Sequence, residues 1–157
     1  HVSFEPGAVD RSYIQFWDER LTLDNLSSLS LEDVELLILS ACASALGSRD
    51  AELGFSGLAA VIGVEASLGS LWNVSDIGTM TLMAEFYAQL RNQPLRFSAL
   101  QQAQLSLIRG DTRIENNTLI TQTGAIPLPP GLVDLPQISF SHPFFWSAFT
   151  LVGNPWW

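Results

Sequence analysis

The 157-residue sequence contains no lysine, a single cysteine and two histidines. Its seven basic residues are all arginines, set against sixteen Asp and Glu, for a formal charge of −9. Non-specific nucleic-acid affinity comes from clustered Lys and Arg, so this balance argues against a phosphate-binding surface. An anionic lipid surface is disfavoured for the same reason. The lone cysteine, Cys42, excludes an intrachain disulfide framework and fits a reducing, cytoplasmic compartment. Long apolar runs are missing too. The longest, Leu58 to Trp72, is broken by Glu65, Ser67 and Ser70, whereas a spanning helix needs about 20 apolar residues. No basic segment precedes an apolar run at the N-terminus, so nothing there reads as a signal peptide. The chain opens on His1 rather than methionine, which suggests a processed or cut piece of something longer.

What is present is apolar: 47% of residues are hydrophobic and the mean hydropathy is +0.23. That is too apolar for a disordered chain, and the length allows one domain with a sizeable core. Tyr13 to Trp17, the acidic turn Asp18-Glu19-Arg20 and Leu21-Thr22-Leu23 predict a small hairpin. Leu26 to Glu35 reads as a short helix or loop. Val34 to Ala41 is a near-continuous apolar run, expected as a strand buried on both faces. Ala66 to Trp72 and Ser147 to Gly153 are two further strand candidates. Phe55, Leu58, Ala59 and Ile62 share one helical face. Ser75 or Asp76 is a good cap for a helix carrying Met80, Met83, Tyr87 and Leu90. Phe97, Leu100, Ala103 and Leu107 predict a second helix after Asn92-Gln93-Pro94. From Gly110 to Gln137 no period holds and four prolines occur, so residues 110–137 read as a long loop insertion. Strands alternating with helices predict an α/β domain with a mainly parallel sheet.

In such sheets functional groups gather at the carboxyl ends of the strands. Cys42 follows the run Val34 to Ala41, and Trp72 to Asp76 follow the next strand. A lone cysteine after a buried strand is usually a small core hydrophobe. Three features favour a reactive thiol instead: small flanking residues (Ser40, Ala41, Ala43, Ser44, Ala45), a following Gly-rich and charged loop from Gly47 to Gly54, and few imidazoles to choose from. A thiol nucleophile needs an imidazole within hydrogen-bond reach, however distant in sequence. His1 and His142 are the choices. His142 stands among aromatics before Pro143, as a packed imidazole at the entry to the last strand would.

Val34 to Leu46 (VELLILSACASAL) resembles the nucleophile strand of CHAT domains, whose usual form is an apolar run ending in Ser-Ala-Cys-Glu-Thr. The resemblance continues through Gly54 to Ala59 (GFSGLA), Ala66 to Asp76 (ASLGSLWNVSD), Thr81 to Tyr87 (TLMAEFY) and Ala99 to Gln104 (ALQQAQ). It closes on His142 to Phe149 (HPFFWSAF) and Leu151-Val152-Gly153. Colinear motifs over most of the chain are far more specific than any one alone. CHAT domains belong to the caspase-like cysteine peptidases, with relatives such as separase and the metacaspases. The resemblance implies a caspase-like three-layer α/β/α fold with a mainly parallel sheet, truncated at its N-terminus, of which residues 1–157 form the C-terminal part. An exposed sheet edge and poor solubility of the isolated piece follow from that expectation.

By the same resemblance Cys42 is the nucleophile and His1 the general base, matching the second histidine of the family's His-x-Ala-Thr-His-Gly motif. The implied chemistry is acyl transfer on a peptide bond, with no metal or cofactor. Ser70, Leu71, Trp72 and Asp76 would line the substrate site; for Asp76 and Ser75 a helix cap is an equal alternative. Two departures stand out. Val2 replaces the glycine after the histidine, a position whose N–H serves the oxyanion hole in caspase-like enzymes. Ala43-Ser44 replaces Glu-Thr, which removes an acid associated with cleavage after basic residues; Asp50, Glu52 or Asp76 are the acids left nearby. The family's members commonly follow helical repeats such as tetratricopeptide arrays, which implies a protein substrate and a regulatory partner. A catalytically inactive CHAT-like interaction module is the alternative, motivated by Val2.

Overall fold

Alternating Tyr, Ile and Gln at one end and Arg, Leu and Thr at the other make the first hairpin. A computed structural model describes residues 2, 3, 11, 13–15, 17–22, 25, 26, 28, 29, 31–39, 59, 62–72, 74–132, 138–154 and 156. Strand β1 (Val2–Ser3) pairs antiparallel with β2 (Tyr13–Gln15), which pairs antiparallel with β3 (Arg20–Thr22). The β2–β3 pairing is fastened on its surface. Arg20 lies over the Tyr13 ring at 4.0 Å, and its Nε donates to Gln15 Oε1 at 3.2 Å.

A second sheet holds the strands that bear on function. β4 (Leu36–Leu39) runs parallel to β5 (Ala66–Ser70), in a register from Leu36↔Ala66 to Leu39↔Gly69. β9 (Phe149–Gly153) closes the other side of β5 antiparallel, from Ala66↔Gly153 to Ser70↔Phe149. β5 is buried at every position because it has a neighbour on each side. β4, expected to be buried on both faces, is half-buried except at Leu39; among the described residues it has a neighbour on one side only. Leu39 joins a core cluster with Leu26, Ala59, Ile62 and Val64. The expected helix over Phe55 to Ile62 lies outside the described residues except for Ala59 and Ile62, both buried.

Two helices follow, α1 (Asp76–Leu90) and α2 (Arg96–Arg109), and they pack on one another. Both match the sequence expectation in extent, and on α2 the expected Leu100, Ala103 and Leu107 are buried; one residue of each pattern turns outward. Tyr87 and Phe97, members of the two apolar patterns, are more than half exposed. On α1 the inner face carries Thr81, Glu85 and Gln89, an i, i+4, i+8 row of polar residues among Leu82 and Phe86. α2 ends on Gly110 in the left-handed region (φ 77), which spares a side chain the clash with the preceding carbonyl.

Residues 110–137, expected to be a loop, instead carry a three-stranded antiparallel meander. It consists of β6 (Arg113–Glu115), β7 (Thr118–Thr121) and β8 (Gly124–Pro127), followed by a short 3-10 turn at Pro130–Leu132. The first turn is Asn116-Asn117, both with positive φ (50 and 56), the geometry that two-residue hairpins require and asparagine tolerates. Only Leu119 and Thr121 of the strands are buried, so the apolar alternation is too weak to betray strands.

The expected three-layer α/β/α architecture with a mainly parallel sheet is therefore not what the described residues form. They form three small three-stranded sheets with one parallel pairing, β4–β5, and two long helices. Apolar runs identify strands without giving their direction. A single crossover helix returns a strand parallel to its predecessor, whereas two helices stand between β5 and β9 in the chain, and β9 comes back antiparallel. The chain divides into two compact units: residues 1–73 with 148–155, and residues 74–147 with 156–157. The first unit holds both β1–β3 and β4-β5-β9; the second holds the helices and the meander.

Candidate functional site

The parallel register determines what meets at one end of the β4-β5-β9 sheet. Leu39, the last residue of β4, pairs with Gly69, so the C-terminal ends of β4 and β5 lie side by side at one end of the sheet. Ser70, Leu71 and Trp72 stand there consecutively. Ser70 closes β5 opposite Phe149 and is fully buried. Leu71 is exposed, and its N–H donates to the Ala148 carbonyl at 2.8 Å, extending the β5–β9 ladder by one bond. That N–H is consequently occupied within the chain. Trp72 is half-buried.

Asp76 opens α1 in the second unit, exposed in the first turn. The capping role falls to its neighbour. Ser75 is extended (φ −71, ψ 135), and its Oγ accepts the Gly78 N–H at 3.4 Å. Asp76 adds a negative charge at the positive end of the helix dipole. Cys42 and His1, the predicted nucleophile and base, both lie outside the described residues. Of the residue next to His1 the backbone is described: Val2 is part of β1 and pairs with Ile14.

His142 is accounted for. It is exposed, and its Nδ1 accepts the Phe144 N–H at 3.2 Å to cap the 3-10 turn Pro143–Phe145. The same turn is tied by Trp146 Nε1 donating to the Ser141 carbonyl and by Gln104 donating to the Trp146 carbonyl. An imidazole committed to capping is a structural group.

The structure adds a polar cluster that the pattern of apolar residues did not reveal. Glu85 is fully buried on α1. Its Oε1 accepts Gln89 Nε2 at 2.7 Å, and its Oε2 accepts both Thr112 Oγ1 at 2.7 Å and the Gln122 N–H at 3.0 Å. Gln89 also donates to Gln122 Oε1 at 2.8 Å, and Thr112 is bonded to Ser106 Oγ at 2.7 Å. One carboxylate thus ties α1, the end of α2 and the β7–β8 turn together. With both oxygens filled by donors, Glu85 is a fastener and not a base poised for substrate. The readable signal was three polar residues four apart inside an apolar helix. Among the described residues no three His, Cys, Asp or Glu side chains are grouped to hold a metal ion, and no helix is long and apolar enough to cross a membrane.

A family model described as "CHAT domain" matches residues 1–154. No curated protein matches the chain.

Proposed function

The chain belongs to the CHAT family of caspase-like, peptidase-related domains, and on that premise we propose that it is a cysteine endopeptidase working through Cys42 and His1. The observation that carries this reading is the β4–β5 register. It brings the end of the nucleophile strand beside the Ser70–Trp72 segment, at the carboxyl ends of two parallel strands, where such strands gather their chemistry. Cys42 comes three residues after Leu39 in the sequence, so chain reach alone keeps their Cα atoms within about 11 Å.

The chemistry is acyl transfer. His1 takes the Cys42 proton, and the thiolate attacks the peptide carbonyl carbon. Backbone N–H groups hold the oxyanion. The C–N bond breaks as His1 returns the proton to the leaving amine. Water, deprotonated by His1, then cleaves the thioester and restores the thiol. Trp72 offers an apolar wall to the substrate, and Leu71 contributes its side chain, its N–H being committed to Ala148. Asp76 acts first as a helix charge. The substrate is a protein, and an upstream helical repeat is the proposed means of recruiting it.

A second reading, an inactive interaction module, is favoured by one observation. Val2 sits in a strand paired to Ile14, a geometry suited to a β-branched residue rather than to the permissive turn that glycine provides. Hydrolysis of a fluorogenic peptide library separates the two readings. The peptidase gives turnover that Cys42→Ala abolishes. Equal, background rates for the chain and Cys42→Ala, with both folded by circular dichroism, leave the interaction module.

A further inference from the structure

A groove of about 430 Å3 lies in the second unit beside β6, lined by that strand, Thr112 and residues Ile138, Ser139 and Phe140. β6 is an edge of the meander. The Asn116-Asn117 turn sets its hydrogen-bonding phase. Glu115 and Thr118 flank a two-residue loop and form the closing hydrogen-bonded pair; Ile114↔Leu119 is then a non-hydrogen-bonded pair. The Leu128 N–H bond to the Asn117 carbonyl on the β8 side fits the same alternation. Ile114 therefore directs both its N–H and its C=O away from β7, along the free edge. Neither group meets a partner among the described residues.

The other edge of the meander is protected. β8 ends in Pro127, which has no N–H to offer, and begins with Gly124. β6 has no such device. Its flanking charges, Arg113 and Glu115, are half exposed and hold one another at 3.1 Å, a surface pair that repartners at little cost.

We propose that this groove binds an extended segment of a partner protein by antiparallel strand addition to β6. The main-chain donor and acceptor of Ile114 suit an extended chain, since a helix has its own N–H and C=O groups engaged. Ile138 and Phe140 supply apolar walls. Antiparallel pairing places one partner residue opposite Ile114, its predecessor opposite Glu115 and its successor opposite Arg113. The segment preferred is thus basic, apolar, acidic in chain order, because opposite charges across strands attract and like charges repel. The surrounding unit, with five acids and four arginines, adds no strong bias of sign. The proposal does not rest on the Cys42 chemistry and stands whether or not the chain cleaves peptides.

The probe is a labelled, end-capped pentapeptide, Thr-Arg-Val-Asp-Thr, measured by fluorescence anisotropy against the whole chain. Saturable binding is expected, about tenfold weaker for Thr-Asp-Val-Arg-Thr. Methylating the valine amide nitrogen weakens it about fivefold or more, since that N–H is the donor to the Ile114 carbonyl. The double variant Arg113→Glu, Glu115→Arg keeps the internal ion pair and reverses the peptide preference. Ile114→Pro removes the outward N–H together with the isoleucine side chain, leaves the β6–β7 ladder intact and lowers affinity. Equal affinity for the N-methylated peptide, or a charge preference that the double variant leaves unchanged, overturns the proposal. Concentration-dependent dimerisation that Ile114→Pro abolishes overturns it in favour of a second copy, whose own Arg-Ile-Glu strand has the same order.

Discussion

Glu85 gives the sharpest quantitative test of how the second unit is held together. Its carboxylate accepts three hydrogen bonds while fully buried. Replacing it with alanine leaves those donors short of an acceptor and opens a cavity. Two losses are softened: Thr112 keeps Ser106, and Gln89 keeps Gln122 Oε1. The Gln122 N–H keeps no other described acceptor. At about 1–3 kcal/mol for each buried polar group left unsatisfied, with a cavity term added, Glu85→Ala should cost about 3–5 kcal/mol.

Glu85→Gln is the more instructive change, because it preserves shape. The new amide has one acceptor oxygen, and the Gln122 N–H, a donor only, claims it along with Thr112. The NH2 group then faces Gln89, which must flip to present its oxygen. That flip turns the Gln89 NH2 away from Gln122 and ends at the exposed Gln122–Asp111 contact, 3.4 Å, where water can adjust. A relay ending in solvent should cost only about 1–2 kcal/mol. Urea unfolding with an unchanged slope measures both variants. Losses for Glu85→Ala and Glu85→Gln within about 0.5 kcal/mol of each other, or a greater loss for Glu85→Gln, would refute this role of the carboxylate.

Glycines and caps supply further tests. Gly153 has φ 112, and a Cβ there would collide with the Glu65 carbonyl and crowd Ala66 Cα. Gly153→Ala should therefore destabilise by about 2–4 kcal/mol, the strain of a forbidden dihedral plus the backbone clash. Gly110→Ala, at φ 77 with nothing within 4 Å, should cost only about 1 kcal/mol. Thermal melts of the pair read the difference directly. Ser75→Ala should cost about 1 kcal/mol as a lost cap. Asp76→Asn should cost less, about 0.3–1 kcal/mol, and that loss should shrink in high salt. A larger loss for Asp76→Asn than for Ser75→Ala in the melting temperature would reverse the assignment of the cap.

Much of this organisation was legible in the residues, and the failures share a cause. The Ser75 cap and the Pro94 break placed both helices, since these signals are local. Which face turned inward was not local. It depended on Glu85 finding Thr112, 27 residues away, and Gln122, 37 residues away, so a polar row went inside and Tyr87 went out. The first hairpin and the β4, β5 and β9 strands were visible as apolar or alternating runs, but strand direction is a property of the connection and leaves no mark in the run. The meander announced itself only through Asn116-Asn117, a turn signal without an apolar period to support it. For the candidate site, the Ser70–Trp72 edge follows from the pairing of β4 with β5. The commitment of the Leu71 N–H to Ala148 required β9 to be antiparallel, and that was not foreseeable. The roles of Cys42 and His1 rest on the family's motifs.

Peptide cleavage through Cys42 and His1 requires a thiol activated by an imidazole. The most direct measurement is covalent labelling by a peptidyl acyloxymethyl ketone, read by intact-protein mass and mapped by digestion. One adduct is expected, on Cys42, forming much faster than the same reagent alkylates free glutathione, absent in Cys42→Ala and slowed at least tenfold in His1→Ala. A folded chain whose Cys42 reacts no faster than glutathione, or whose labelling is indifferent to His1→Ala, contradicts it.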